Sequence, residues 1–499
     1  MIKKNYGLLF ILLASLLLSM MYIPRFNTLT ADKEIYRYIG RVLLRGGVPY
    51  RDVFDHKPPL IFFLNYTALL LGGDWGQWLI DTGLALLATA LFFRLCKQRQ
   101  LPYPWLLPLL FNLMIRDPLM CLGMGMTREY TTMLLLIFFC TLMGRHRYRH
   151  YFLGLISGLI FFMQQDQVLA LLPFFLYAFL PGEDRSPAFQ RFFRMAAGFL
   201  SVALPLTLYF TRAHALHDFW NDAFVFNFRW YTTTLKESGW DHWRKIKSTL
   251  DKGNYELPSM IALVLGLSAL LFRHGNKKLL LLSLAAVLLS IITEFMGGRD
   301  LVPNTLGMTF THYFLPLSAS LPILLFSVFA FTEEPVFQDP KIVGVYGVLL
   351  CASLLYTAAQ HGANLTPVEA DPTVRSPELN YLRQHRPKDY EMFEFGNNDF
   401  IYAYNEFGII GPGKWVYQHF WVLYADWDKD HAMLRSIEED LLRHRTKYIV
   451  DFAFDPGSFR DKTAFTLWQS FLRQYYEPVA VAGASHSQMW QRKGLPEQH

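Results

Sequence analysis

Long apolar runs separated by short charged connections dominate this chain and constrain its fold. Hydrophobic residues make up 52% of the 499 residues, and charged residues only 18%. Many of the runs approach the roughly 20 apolar residues that a helix needs to cross a bilayer. Because a soluble enzyme of this length is seldom so apolar, the pattern predicts a mainly α-helical, polytopic membrane protein.

The basic residues between the runs orient the predicted spans, since Lys and Arg favour the cytoplasmic side. Residues 145–149, Arg-His-Arg-Tyr-Arg, are the clearest cytoplasmic marker. With Lys3 and Lys4 also inside, the rule gives about eleven spans. They lie near 7–24, 76–95, 101–116, 128–144, 151–164, 168–181, 195–212, 257–272, 279–294, 313–331 and 341–358. The apolar stretch 60–72 is short for a span, and its crossing would carry the next basic residues outside, so it is predicted to be a juxtamembrane helix.

Composition and motifs argue against several classes of function. The net charge of +6 is modest, and the Lys and Arg residues lie between the apolar runs. No nucleic-acid partner is therefore expected. The four cysteines form no CxxC pair, which argues against a disulfide framework or a thiolate zinc site. The chain also lacks a Walker A loop, a GxGxxG turn after a strand and an HExxH helix.

The last part of the chain, 360–499, is polar and differs in character from the rest. Residues 390–395 and 447–452 have the pattern of strands, whereas 432–444 and 464–475 have the pattern of helices. This alternation predicts a small α/β domain. The predicted organisation is therefore a transmembrane module, 1–359, with an outer loop at about 25–59, followed by a soluble extracytoplasmic domain on the same side as that loop.

The outer loop begins with two acids, Asp32 and Glu34. Two residues apart, they face different directions on a helix. Asp32 precedes a helix-like run, so one interpretation is a simple N-cap. The other is a general base that accepts a proton from an attacking hydroxyl.

The same loop ends with Lys57 before Pro58 and Pro59. Two prolines restrict the backbone where the chain returns to the membrane. A lysine fixed at headgroup depth is suited to bind a phosphate, although a snorkelling lysine at a span end would look the same. Asp55 and His56, just before it, are weak candidates for a divalent metal site.

Other charged residues fall at the predicted outer ends of spans. Arg128 and Glu129 begin one span, and Arg299 and His312 flank the outer loop 295–312. Asp166 lies among glutamines at another outer end, and Arg116 marks the outer end of the span near 101–116. Arg128 with Glu129, Asp166, Arg299 and His312 are each more readily topological or structural than functional when taken alone. Together they are candidates to join the outer loop in one site.

The loop resembles a known family. Its sequence is similar to the outer loop of the polyprenyl-phosphate-dependent GT-C glycosyltransferases. The matching residues are Asp32 after the first span, Gly47-Val-Pro-Tyr-Arg-Asp52 and Asp55-His-Lys-Pro-Pro-Leu60. Thr311-His-Tyr-Phe-Leu-Pro316 resembles a later motif of these enzymes, which include the protein O-mannosyltransferases and the lipid A aminoarabinose transferase. The likeness covers roughly 1–330.

This resemblance implies an inverting transfer of a sugar from a polyprenyl-phosphate donor to an envelope glycan, lipid or protein. The reaction would take place at the outer face of the bacterial cytoplasmic membrane. Asp32 would be the base, with Glu34 open as the alternative, and Lys57 would hold the donor phosphate with Arg299 or His312. Some relatives carry a metal-binding Glu where His56 stands, so a divalent metal is an open expectation. The candidate substrate contacts are Tyr50, Asp52, Asp55, His56, Arg128 and Glu129. The alternative function is a non-enzymatic protein that binds or transports a lipid-linked sugar.

Overall fold

The computed structural model describes most of the chain, and its regular structure is mainly helical. The described residues are 6–24, 30–121, 124–180, 186–231, 256–271, 276–297, 314–331, 339–362, 371–416, 428, 430–455, 459, 461–484 and 486–494.

Nineteen α-helices lie within the described residues. The first ten are α1 (Tyr6–Met20), α2 (Ala31–Leu44), α3 (Leu60–Leu70), α4 (Asp74–Gln98), α5 (Leu106–Ile115), α6 (Pro118–Cys121), α7 (Thr127–Met143), α8 (Arg149–Met163), α9 (Val168–Tyr177) and α10 (Ala188–Arg212). The others are α11 (Leu216–Trp220), α12 (Glu256–Leu271), α13 (Lys277–Gly297), α14 (Leu317–Phe331), α15 (Pro340–Gly362), α16 (Pro377–His385), α17 (Tyr402–Phe407), α18 (Ala432–His444) and α19 (Lys462–Tyr475). Short π-helical stretches, Asn221–Val225 and Asn227–Tyr231, follow α11.

Each of the eleven predicted spans coincides with a helix, from α1 to α15. Among the described residues, α4 and α10 are long and apolar enough to cross a membrane. Shorter apolar helices are Tyr6–Met20, Leu60–Leu70, Leu106–Ile115, Arg149–Met163, Ser259–Leu270, Leu317–Phe331 and Pro340–Tyr356. The stretch predicted to be a short juxtamembrane helix forms α3, which has 11 residues. The mainly helical class is confirmed, and the number of spans stays a prediction.

Helix α10 begins earlier than the sequence pattern predicted. The basic residues before 195 were assigned to a connection, but the helix starts at Ala188 and includes Arg191. The Arg191 guanidinium donates hydrogen bonds to the carbonyl oxygens of Ala178, at 2.9 Å, and Leu180, at 3.2 Å. These carbonyls follow the end of α9, where helical partners are lacking. The arginine is thus buried because its guanidinium hydrogen-bonds to the free carbonyl oxygens at the C-terminal end of another helix, α9.

By its internal contacts the chain divides into two compact units. The first comprises Met1–Asn27, Trp75–Tyr209 and Leu235–Leu365. Its centre contains α7 and α14, whose side chains are almost all buried. Helix α14 packs against α5, α7, α12 and α13.

Small residues allow a close helix crossing in the first unit. A Cβ atom at Gly154 of α8 would overlap the backbone carbonyl of Met195 in α10, and one at Gly198 would overlap that of Tyr151. Glycine at both positions therefore lets the two backbones touch, as small residues do between membrane helices.

The second unit comprises Thr28–Asp74, Phe210–Thr234 and Thr366–His499. It contains a four-stranded sheet of β1 (Met392–Phe395), β2 (Tyr448–Asp451), β3 (Tyr476–Val479) and β4 (Gln488–Arg492), in the order β1-β2-β4-β3. Strands β1 and β2 are parallel, with Phe395 opposite Asp451, and β4 runs antiparallel to β2 and β3.

The C-terminal elements match the sequence pattern in part. Helix α18 has the predicted bounds, α19 begins two residues before the predicted 464, and β1 and β2 lie within the predicted strands. The pattern did not predict β3 and β4. Strand β3 carries Pro478, and proline argues against a strand when only the sequence is read.

Candidate functional site

Asp32 lies in the first turn of α2. Thr30 occupies the N-cap position with an extended backbone, so the interpretation of Asp32 as the N-cap was wrong. The Asp32 carboxylate is half-buried, and its Oδ2 lies 3.5 Å from the hydroxyl of Tyr36. Across the described residues no Lys, Arg or His forms an ion pair with it. Asp32 is therefore a half-buried carboxylate whose negative charge has no ion-pair partner among the described residues.

Glu34 has a different environment, although it lies only two residues away. Its side chain is buried, and Oε2 accepts a hydrogen bond of 2.8 Å from Nδ2 of Asn405. The same amide donates to the Glu34 backbone carbonyl, also at 2.8 Å. Burial raises the pKa of Glu34, opposed by the charge of Arg37, whose guanidinium lies 4.0 Å away. Glu34 thus belongs to the interior of the second unit.

The face of α2 that carries Glu34 packs on the segment 405–411. The hydroxyl of Tyr38 accepts a hydrogen bond of 2.9 Å from the N–H of Gly411, and Arg41 donates to the carbonyl of Asn405 at 3.1 Å. Glu34, Tyr38 and Arg41 are spaced at four and three residues, so they share one face of the helix. Asp32 is not part of this series.

Tyr50 and Asp52 shape the turn in the middle of the loop. Tyr50 is fully buried, and its backbone N–H donates to the carbonyl of Val53 at 2.7 Å. Asp52 accepts hydrogen bonds of 2.7 Å from the Val48 N–H and from the Arg51 side chain. Partial burial opposes ionisation, but these hydrogen bonds lower the pKa of Asp52 below its usual value. Both residues have structural partners, and their substrate contacts stay predictions.

The backbone of Lys57 is held on both sides. Its N–H donates to Oδ1 of Asp55 at 2.7 Å, and its carbonyl accepts from the Tyr50 hydroxyl at 2.7 Å. Pro58 and Pro59 follow directly and lead into α3. The ammonium group, by contrast, makes no ion pair with a carboxylate in the part of the chain that the structure describes. Lys57 therefore combines a fixed backbone with a half-buried ammonium that has no ion-pair partner among the described residues.

His56 is held between its neighbours and the segment after α11. Its carbonyl accepts a hydrogen bond of 2.6 Å from Nδ2 of Asn227, and its Nδ1 lies 3.8 Å from Oδ1 of Asp55. Burial and the charge of Lys57 lower the pKa of His56 well below its usual value, which favours the neutral ring that a metal requires. Among the described residues, Asp55 and His56 do not belong to a group of three or more metal-ligating side chains. A divalent metal at this position would thus have two protein ligands among the described residues, Asp55 and His56.

The remaining predicted site residues are distributed differently. Arg299 and His312 lie outside the described residues. Arg128 and Glu129 belong to the first unit, at the start of α7. Arg128 pairs with Asp166 at 2.7 Å, and both Arg128 and Glu129 are buried.

Glu129 forms a buried ion pair with Arg116 and also accepts a hydrogen bond of 2.9 Å from the Gly125 N–H. The sequence pattern marked Arg116 only as the outer end of a span, but its side chain is almost fully buried. A charged residue beside a span gives no local sign of its partner. The structural signal is that the two buried charges compensate each other, so that removal of one partner would leave the other charge buried without a counterion.

Comparisons with known proteins support the fold. No family model matches the sequence, and no protein of curated function matches it closely enough to count as a relative. The structure is similar to that of ArnT from Cupriavidus metallidurans bound to undecaprenyl phosphate, with 12% identity and a TM-score of 0.60 over 98% of both chains. The apo state of the same protein gives 11% identity and a TM-score of 0.59 over 97% of both chains.

ArnT is the lipid A aminoarabinose transferase, a GT-C glycosyltransferase. At 12% identity the likeness establishes the fold and leaves the activity to be argued from the site. The resemblance that the loop motifs indicated is confirmed at this level: the chain has the fold of the GT-C glycosyltransferases.

Proposed function

We propose that this protein is an integral-membrane glycosyltransferase that moves a sugar from a polyprenyl-phosphate donor to a cell-envelope acceptor. The observation that carries the proposal is the pair of charged groups in the second unit, the Asp32 carboxylate and the Lys57 ammonium. Each is half-buried and lacks an ion-pair partner among the described residues. The likeness to ArnT, whose structure was determined with undecaprenyl phosphate, supports this class of donor.

A membrane location is supported by the surface of the apolar helices. On α10 the exposed residues include Leu200, Leu204 and Leu208, which are 45%, 54% and 55% exposed. They recur every four residues and so form one apolar stripe on the helix. Exposure of such a stripe to water is unfavourable on a helix of 25 residues, whereas contact with lipid tails is not. About eleven spans, with the outer loop and the C-terminal domain outside the cytoplasmic membrane, complete the proposed topology.

In the proposed reaction Asp32 accepts the proton of an acceptor hydroxyl. The acceptor oxygen forms a bond to the anomeric carbon from the side opposite the lipid phosphate, and the configuration inverts. The bond between that carbon and the phosphate oxygen breaks, and the phosphate leaves with the electron pair. Lys57 stabilises the leaving group, because its attraction grows as the phosphate gains negative charge.

Three further candidates would complete the donor site. Arg299 and His312 are proposed as additional phosphate ligands, in keeping with the resemblance of the motif at 311–316. A divalent metal held by Asp55 and His56 would supply further positive charge beside the phosphate.

The direct test compares envelope glycans and lipid-linked sugars in strains that carry the wild type, Asp32→Asn or no copy of the gene. We expect the donor to accumulate and the glycan to disappear without the gene. Asp32→Asn should have the same effect, because loss of a general base lowers the rate by roughly 100- to 10,000-fold. The exposed Asp430→Asn is the matched control and should behave as the wild type.

Mass spectrometry of both fractions identifies the sugar and the acceptor together. A strain with Asp32→Asn that produces normal glycan would contradict the enzymatic proposal and favour the alternative of a protein that binds or transports the lipid-linked sugar. Lys57→Met should weaken donor binding, and unchanged binding would contradict the phosphate role.

A further inference from the structure

Lys414 joins three segments of the second unit that are far apart in the sequence. Its backbone carbonyl accepts a hydrogen bond of 2.9 Å from the N–H of Phe54, in the outer loop. Its ammonium lies 2.8 Å from Oδ2 of Asp222 and 3.5 Å from Oδ1 of Asp218. The next residue, Trp415, packs on the ring of Phe54 with 4.8 Å between the centroids.

The two carboxylates need such a cation. Asp218 and Asp222 are four residues apart on α11 and its π-helical continuation, so like charges face each other on one side. The Asp222 side chain is only 13% exposed, and solvent therefore screens it poorly. The Lys414 ammonium offsets the repulsion and holds this helical segment against the chain at Phe54.

The helical segment in turn contacts the backbone beside the candidate phosphate ligand. Asn227 lies five residues after Asp222 and donates its amide hydrogen to the carbonyl of His56 at 2.6 Å. Phe226 packs on the ring of Phe54, with centroids 5.4 Å apart. The Phe54 ring and the His56 carbonyl, next to Lys57, are thus held by contacts that depend on where the helical segment lies, in addition to the hydrogen bonds of the Lys57 backbone to Asp55 and Tyr50.

We propose that Lys414 is a positioning residue for Lys57. It holds the helical segment that carries Asp222 and Asn227, and through this segment it sets where the Lys57 ammonium meets the phosphate of a polyprenyl lipid. The inference rests on the proposed function. Lys414 itself does not touch the substrate in this scheme, so its effect is on the affinity for the phosphate and on the KM for the donor.

The test measures binding of undecaprenyl phosphate to the purified full-length protein in lipid nanodiscs. Lys414→Met keeps the length of the side chain but removes the charge, and we expect the Kd to rise about tenfold, since small displacements of a positioned charge weaken binding steeply. Lys414→Arg restores the cation and should recover most of the affinity. In a transfer assay the donor KM should rise for Lys414→Met, with little change in the KM for the acceptor.

The matched control is Arg45→Met. This variant also removes an ion pair between the loop segment and the C-terminal segment, since Arg45 lies 3.3 Å from Asp389. It makes no contact with residues 54–57, so the Kd should equal that of the wild type. If Lys414→Met fails to fold, Asp222→Asn tests the same ion pair between Lys414 and Asp222 and should raise the Kd by about threefold.

The outcomes separate this inference from the proposed function. Wild-type protein that does not bind undecaprenyl phosphate would overturn the proposed donor, and this inference with it. Wild-type binding with an unchanged Kd for Lys414→Met would overturn the positioning role alone. Equal weakening by Lys414→Met and Arg45→Met would also overturn it, because the loss would then reflect general destabilisation.

Discussion

Replacement of Glu34 by glutamine separates the two acids that the sequence left open as the base. Glu34→Gln removes the charge but keeps an oxygen where Oε2 accepts the 2.8 Å hydrogen bond from Asn405. Arg37 keeps its other partner, Asp74, at 3.2 Å. The exchange is therefore nearly isosteric, and it removes a buried carboxylate whose pKa is raised by its burial.

The expected magnitudes differ strongly between the two acids. Replacing the charged acceptor by a neutral one weakens the hydrogen bond and costs about 1 kcal/mol of stability. The variant no longer has to bury a charge, and the saved desolvation energy offsets a similar amount. The free energy of unfolding should therefore change by less than about 1 kcal/mol, and the transfer rate by less than about threefold. Asp32→Asn leaves the packing of α2 intact but removes the half-buried carboxylate that is proposed as the base, so it should lower the rate by at least about 100-fold.

The assay is sugar transfer by the purified full-length protein in proteoliposomes, with the donor identified from the envelope analysis. Thermal unfolding of each variant verifies that the fold is retained. If Glu34→Gln abolishes transfer in a folded protein while Asp32→Asn remains active, the base has been assigned to the wrong acid. Loss of transfer in both would mean that the two carboxylates act together.

Three further predictions concern stability. Burial raises the pKa of Asp451, at the end of β2, to about 7. The folded state keeps a proton that the unfolded state loses between about pH 4 and 7, so stability falls as the pH rises through this window, by at most about 4 kcal/mol. Asp451→Asn should abolish this fall in hydrogen exchange of the sheet amides, and a pH dependence that persists would refute the assignment. Glu129→Ala leaves the buried charge of Arg116 unpaired and should destabilise the protein by about 3–5 kcal/mol in thermal unfolding, whereas a loss below about 1 kcal/mol would show that water reaches the arginine. Gly154→Leu should force α8 from α10 and lower the yield of folded protein, with an unchanged yield arguing against the close crossing.

The sequence was sufficient for the helices of the first unit because an apolar run needs no partner to be recognised. Its limits appear where a polar residue has a distant partner. Arg191 looked like part of a connection, since nothing near it in the sequence reveals the carbonyls of Ala178 and Leu180 that it caps. Strand β3 contains Pro478, which argues against a strand when only the sequence is read, and β4 is defined by its pairing with β2 and β3.

The outer loop was recognised from its dense local charges, and its two ends were assigned roles from residue type. What the sequence could not distinguish was Asp32 from Glu34. That distinction depends on Asn405, which lies 371 residues further along the chain. Lys414 and Asn227 were missed for the same reason, because their roles arise only when separate segments meet.

The packing of α2 on the segment 405–411 has a consequence for biosynthesis. Ribosomes add about 5–20 residues per second, so roughly 20 to 70 s separate the synthesis of Glu34 from that of Asn405. During this interval Glu34 lacks its hydrogen bonds from Asn405, and α2 lacks the segment 405–411 on which it packs. Under the proposed function and topology, the site would therefore become competent only after the segment 405–411 has been made and delivered across the membrane. Nascent or truncated chains that lack this segment would then be unable to consume the proposed lipid-linked donor.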